Sequence, residues 1–293
     1  MNTMLTLRRS LLYVPGDKAA MLAKAPGRGA DSVILNLEDA VASTNKELAR
    51  EAVVYALQNL DFSRVEAIVR VNPPDTDTGY RDLLAVVPSG PCAILLPKVS
   101  SAEEVRFVAW TIERLEGFHG LPAGQIKVMC MIESAAGVLN ADAIAACYPR
   151  VAALVFGATD FSLEMGCTVT EDGRALLPAA GRIILAARAA GIAAIDTPYM
   201  KLDDPEGLAR SSRMARELGF DGKSAIHPAQ IAPINAAFSP STEQVAWARR
   251  VLALAPDGDA TRLGASVLDG QLIEIPHLIR ARHILAIAAR LET

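Results

Sequence analysis

No apolar run in this 293-residue chain reaches the ~20 residues needed to cross a bilayer. Nothing near its start joins a basic stretch to an apolar segment and a small-residue cleavage site. A cytoplasmic protein with no membrane partner is the expectation. Runs of like charge are also missing: 29 Lys and Arg are interspersed among 33 Asp and Glu, for a net charge of −4. Such a pattern suits neither a nucleic-acid groove nor an anionic membrane surface. Cysteine is scarce. Cys92, Cys130, Cys147 and Cys167 stand far apart without the C-x2-C spacing of a zinc site, in a chain long enough to build a core without staples, so buried thiols are expected. No Gly-x-Gly-x-x-Gly or Walker loop follows any strand-like run, which weighs against a doubly wound nucleotide-binding sheet.

What the chain does have is a rhythm. Short β-branched, apolar runs recur: SLLYVPG from Ser10, SVILNLEDA from Ser32, EAIVRVNP from Glu66, CAILLPKV from Cys92, KVMCMIES from Lys127, VAALVFGATD from Val151, AAIDTPY from Ala193 and GKSAIHP from Gly222. Helix-period segments lie between them. Asp17 is a plausible N-cap for the first and Ser43 or Thr44 for the second, while Ser101 with Glu104 makes a capping-box pattern. Two later helices close near glycines suited to a C′ position. Nearly continuous apolar strands belong to parallel sheets covered on both faces, and eight β-α units match a (β/α)8 TIM barrel, with a doubly wound open sheet as the alternative. The barrel is expected over 1–240. Residues 241–293 read as an extension: a helix from Ser241, a linker from Pro256 and a terminal helix from Ile275, serving as a packing element or as a lid.

The active site of such a barrel lies at the C-terminal ends of its strands. Those ends carry Glu38 and Asp39, Arg70 and Asn72, Lys98, Glu133, Asp160, Asp196, and Lys223 with His227. Glu133 and Asp160, at the ends of successive strands, offer hard oxygen ligands for Mg²⁺, which takes one or two carboxylates and fills its octahedron with water and substrate oxygens. The alternative is that each caps a helix or pairs with a lysine. Arg70 could grip a substrate carboxylate with its planar fork, or pair with Glu38 or Asp39. His227 reads as a loop-orienting hydrogen-bonding residue rather than a base, and Lys98 as a charge partner rather than a Schiff-base lysine.

Taken together, LLYVPGD, ILNLEDAV, VRVNP, LLPKV, MIESAAGVLNA, FGATDFSLEMG, AIDTPY and GFDGKSAIHPAQI resemble, in order, the citrate lyase β-subunit-like family (HpcH/HpaI aldolase/citrate lyase) of the phosphoenolpyruvate/pyruvate barrel superfamily, which includes malyl-CoA and citramalyl-CoA lyases. The resemblance puts metal ligands on Glu133 and Asp160, substrate contacts on Arg70 and Glu133, and a catalytic acid in a C-terminal helical lid. That acid falls on Glu274 in QLIEIP, where the family usually has aspartate, with Asp269 in VLDGQ as competitor. Asn36 stands where aspartate is common and Thr159 where glutamate is frequent. The implied activity is Mg²⁺-dependent cleavage of a short 3-hydroxyacyl-CoA, of the citramalyl-CoA or malyl-CoA type, to acetyl-CoA and a 2-oxo acid. Hydrolysis of the same thioesters, or service as the β subunit of a citrate lyase complex, are the alternatives. A homotrimer or hexamer, each tail closing over a neighbour's barrel, is implied as well.

Overall fold

The computed structural model describes residues 6–255 and 266–291. Eight strands, β1 (Ser10–Pro15), β2 (Ser32–Asn36), β3 (Glu66–Arg70), β4 (Ala93–Leu96), β5 (Lys127–Ile132), β6 (Val151–Phe156), β7 (Ala193–Asp196) and β8 (Gly222–Ala225), pair in parallel in sequence order and form a closed barrel. Closure is made by β1 against β8, with Leu11 opposite Ser224, which removes the open-sheet alternative. At that seam Gly222 is required by contact: a Cβ there would lie 1.7 Å from the Arg8 carbonyl oxygen.

All eight strands start in the runs read from the sequence, because each is sealed on both faces. Side chains alternate across a strand. One set, including Leu11, Ile34, Ile68, Leu95, Met129, Met131, Val155 and Ile195, fills the barrel interior; the other meets the helices. Truncating one of these buried side chains to alanine costs about 2–5 kcal/mol.

The helices are α1 (Ala19–Leu22), α2 (Lys46–Asn59), α3 (Asp77–Val86), α4 (Ala102–His119), α5 (Ala135–Leu139), α6 (Ala141–Ala146), α7 (Ala158–Glu164), α8 (Leu177–Ala190), α9 (Pro205–Leu218), α10 (Ile231–Phe238), α11 (Thr242–Ala253) and α12 (Ile275–Leu291). Ser101 caps α4 by accepting from the Glu104 N–H, while the Glu104 carboxylate returns to the N–H of Ser100 rather than that of Ser101. Gly191 and Gly219 end α8 and α9 in the left-handed conformation. Two expected caps are corrected. The Asp17 carboxylate is taken by Lys18 and the Asn45 amide, so α1 begins after Lys18 without a side-chain cap. Ser43 and Thr44 lie inside a 3₁₀ turn that runs directly into α2.

The chain divides into two compact units, one spanning Arg8–Ala237 and the other containing the chain from Phe238. In the second, α11 and α12 share an apolar core of Ala248, Val251, Ile273, Leu278, Ala281 and Ile284. A hairpin of β9 (Ser266–Leu268) and β10 (Gln271–Ile273) precedes α12. Its turn is Asp269–Gly270, both at positive φ (52° and 77°), the requirement of a type I′ hairpin. The expected linker from Pro256 lies, through residue 265, outside the described residues. Among the described residues no helix is long and apolar enough to cross a membrane.

Candidate active site

Three strand ends deliver the centre of the mouth. Arg70 is the last residue of β3, and its Nη2 pairs with Glu38 at 2.5 Å and Asp39 at 3.2 Å, both just beyond β2. Its guanidinium lies 5.9 Å from the centre of the Tyr13 ring. Glu133 follows β5 directly, is only 3% exposed, and accepts the Lys98 N–H on Oε1 at 2.7 Å. The Lys98 ammonium is loosely held, 3.9 Å from Glu38. Asp160 does not close β6 as the spacing suggested. It lies in the first turn of α7, close enough to Glu133 for the two charges to act on each other.

Burial pushes the Glu133 carboxyl up to about 7, with Arg70 and the Lys98 N–H opposing the rise and the charges of Asp160 and Glu38 adding to it. Burial also raises Glu38, against the pull of Arg70, and pushes the Tyr13 phenol up to about 12. Taking a carboxylate out of water and setting it beside others disfavours its charged form. A cation would remove that penalty.

Arg70 Nε is buried here without a hydrogen bond, while the Tyr13 hydroxyl has the Ser224 hydroxyl as its neighbour. Among the described residues no three His, Cys, Asp or Glu side chains gather as a ligand set. Glu133 and Asp160 could offer two oxygen ligands at the mouth. That donor set fits a hard divalent cation that keeps water or substrate oxygens in its remaining positions.

Other strand-end residues belong elsewhere. The interior packing of Ile195 turns Asp196 to the helix side of β7, where it pairs with buried Lys223 at 2.5 Å; neither contributes to the mouth, correcting the expectation. Asp196 instead borders a cavity of about 270 Å³ whose walls include Phe156, Ala180 and Ala215. Asn72 is structural, tying the Leu37 carbonyl to buried Asp82. His227 caps a 3₁₀ turn by accepting the Ala229 N–H on Nδ1, the orienting role expected of it. Of the cysteines, Cys130 is buried, Cys147 and Cys167 are partly so, and Cys92 is exposed, against expectation, because it precedes β4 on the rim.

In the second unit the two acid candidates differ. Asp269 is clamped by both terminal nitrogens of Arg250, at 2.6 and 2.9 Å, and that hydrogen bonding holds its carboxyl below the usual range. Glu274 is exposed at the start of α12, where its N–H donates to His277 Nδ1. Sequence reasoning missed Tyr13, Ser224 and Gly157. The alternation about Leu11 and Val155 could have put Tyr13 and Gly157 on the interior face, whereas the close approach of Gly157 to Glu133 needed coordinates.

A closed parallel barrel with carboxylates and an arginine at its C-terminal mouth is the architecture of a barrel enzyme. The profile of the HpcH/HpaI aldolase/citrate lyase family matches residues 9–228. The chain belongs to that family. It is 38% identical over 282 residues to citrate lyase subunit beta of Leuconostoc mesenteroides, covering 96% of this chain and 93% of that protein. It is 39% identical over 278 residues to the (3S)-malyl-CoA thioesterase of Cereibacter sphaeroides, covering 95% and 93%. Among solved structures, CitE of Mycobacterium tuberculosis in complex with magnesium, acetoacetate and coenzyme A matches with a TM-score of 0.79 at 33% identity, covering 97% of this chain and 98% of that one.

Proposed function

We propose that this protein is an Mg²⁺-dependent carbon–carbon lyase that splits a short 3-hydroxyacyl-CoA, of the citramalyl-CoA or malyl-CoA type, into acetyl-CoA and a 2-oxo acid. The observation that carries the reading is buried Glu133 directly after β5 with Asp160 in the first turn of the helix that follows β6. A relative solved with magnesium and coenzyme A supports the cofactor and the substrate class.

Glu133 and Asp160 would hold the cation. When bound, it would polarise the substrate's carboxylate and hydroxyl oxygens. Arg70, steadied by Glu38, Asp39 and the Tyr13 ring, orients the carboxylate. The carbon–carbon bond breaks as the hydroxyl carbon becomes a ketone, leaving an electron pair on the carbon next to the thioester. The hydroxyl releases its proton to solvent, and the Glu274 carboxyl donates one to that carbon and is reprotonated from solvent, so the net proton movement is from the hydroxyl to that carbon. Glu274 suits this role better than Asp269, whose carboxylate is committed to Arg250. The tail, 241–293, would act as a lid closing on a neighbouring barrel in a homotrimer or hexamer.

Two other readings have support. Hydrolysis of the thioester is favoured by the malyl-CoA thioesterase relative and by glutamate at the position of the usual acid. Service as the β subunit of a citrate lyase complex is favoured by the Leuconostoc relative. Mass analysis of products from citramalyl-CoA and malyl-CoA with Mg²⁺ separates the readings. Acetyl-CoA with pyruvate or glyoxylate is expected; free CoA with the intact hydroxy acid establishes hydrolysis, and no turnover without added subunits favours the complex.

A further inference from the structure

Glu133 reaches the mouth between two neighbouring strand ends, and on both sides it is met by backbone rather than by a side chain. On the β4 side, Lys98 adopts φ 53°, one of two positive-φ residues other than glycine among those described. That conformation is costly for a residue with a Cβ and persists where the surroundings enforce it. Here it aims the Lys98 N–H at Glu133 Oε1, 2.7 Å away. On the β6 side stands Gly157. Its φ of −99° is open to any residue, so the backbone does not call for glycine. Space does: a Cβ at 157 would lie 2.5 Å from both the Cβ and Oε2 of Glu133.

We propose that Gly157 and the Lys98 backbone are positioning residues that set the orientation of Glu133, and through it the affinity for the cation, without touching the cation themselves. The proposal rests on Glu133 being a metal ligand. It assigns to Lys98 a role in its conformation, not its charge. Groups that orient ligands in this way typically change metal affinity about 10–100-fold when lost.

The test uses the full chain and Mn²⁺ as probe, with binding read by calorimetry and electron paramagnetic resonance. At position 98, Gly adopts positive φ freely, Ala adopts it under strain and Val resists it. Affinity is expected to follow that order: Lys98→Gly at or above wild type, Lys98→Ala below it, and Lys98→Val weakest by at least about tenfold. If the ammonium were what mattered, all three would lose affinity equally, and the proposal would be overturned. Gly157→Ala is expected to weaken Mn²⁺ binding at least about tenfold; wild-type affinity in that variant would also overturn it. Should Gly157→Ala fail to fold, the series at 98 decides. Should wild type bind no Mn²⁺, the metal reading fails by itself. A metal-free crystal structure of Lys98→Val then settles the positioning claim: a displaced Glu133 carboxylate supports it, an unmoved one refutes it.

Discussion

The two rims of the barrel use the same residue types to opposite ends. At the rim where the strands begin, carboxylates have their partners. Arg8 forks onto Glu66, which also accepts from Ser32, and Arg9 forks onto Asp31. Arg150 forks onto Glu116, both bonds at 2.9 Å, while the N–H groups of Gly124 and Ile126 complete the Glu116 carboxylate. At the rim where the strands end, Arg70 shares one nitrogen between two carboxylates, and Glu133 is raised toward neutrality. Paired buried charges rigidify a fold, and removing one partner is expensive. Unpaired polar groups cost stability and leave capacity for a ligand.

The comparison predicts opposite outcomes of equally mild substitutions. Glu133→Gln and Asp160→Asn should abolish Mg²⁺-dependent turnover while leaving the melting temperature unchanged or higher, since each removes one of two repelling charges. A large fall in melting temperature would make these residues structural and break the contrast. Arg150→Ala should do the reverse, costing about 3–5 kcal/mol in urea unfolding because Glu116 is left buried and unpaired, with kcat of the folded fraction unchanged.

Much of this architecture is legible in the sequence, and the exceptions have physical causes. The strands stand out because both faces are buried, so runs such as SVILN carry no polar interruption. That same uniformity hides which face is which. AAID does not reveal that Ile195 points inward, so Asp196 looked like a mouth residue when it faces the helices. Ser101 was readable as a cap because its partner Glu104 is local; Asp17 failed because a distant residue, Asn45, competes for it. The β9–β10 hairpin is too short to stand out as strands, with three residues on each side, although Asp269–Gly270 is a strong hairpin signal. Glu133 stands out by its strand-end position and Asp160 only by following β6 closely in sequence, whereas the room that Gly157 leaves for Glu133 is a distance no sequence displays.

Smaller effects sharpen the comparison. In the tail, Glu274→Gln should lower kcat about 100-fold or more with little change in KM, whereas Asp269→Asn should spare kcat and loosen the Arg250 contact. Equal kcat losses in both variants would contradict the choice of Glu274. The smallest effect concerns acid. Burial would raise Glu116, but Arg150 and the two N–H groups outweigh it and hold its carboxyl below the usual range. A depressed folded-state value contributes stability above the ordinary glutamate value of about 4.3, lost as pH falls through the folded value. Unfolding free energy of the wild type should therefore drop more steeply below that pH than that of Glu116→Gln.

Calorimetric titration of Mg²⁺ into the wild type, Glu133→Gln and Asp160→Asn tests the central claim most directly. One site per chain in the wild type, lost or weakened at least about tenfold in each variant, is the predicted result. Undiminished binding in either variant would contradict the assignment of the mouth carboxylates as the metal site.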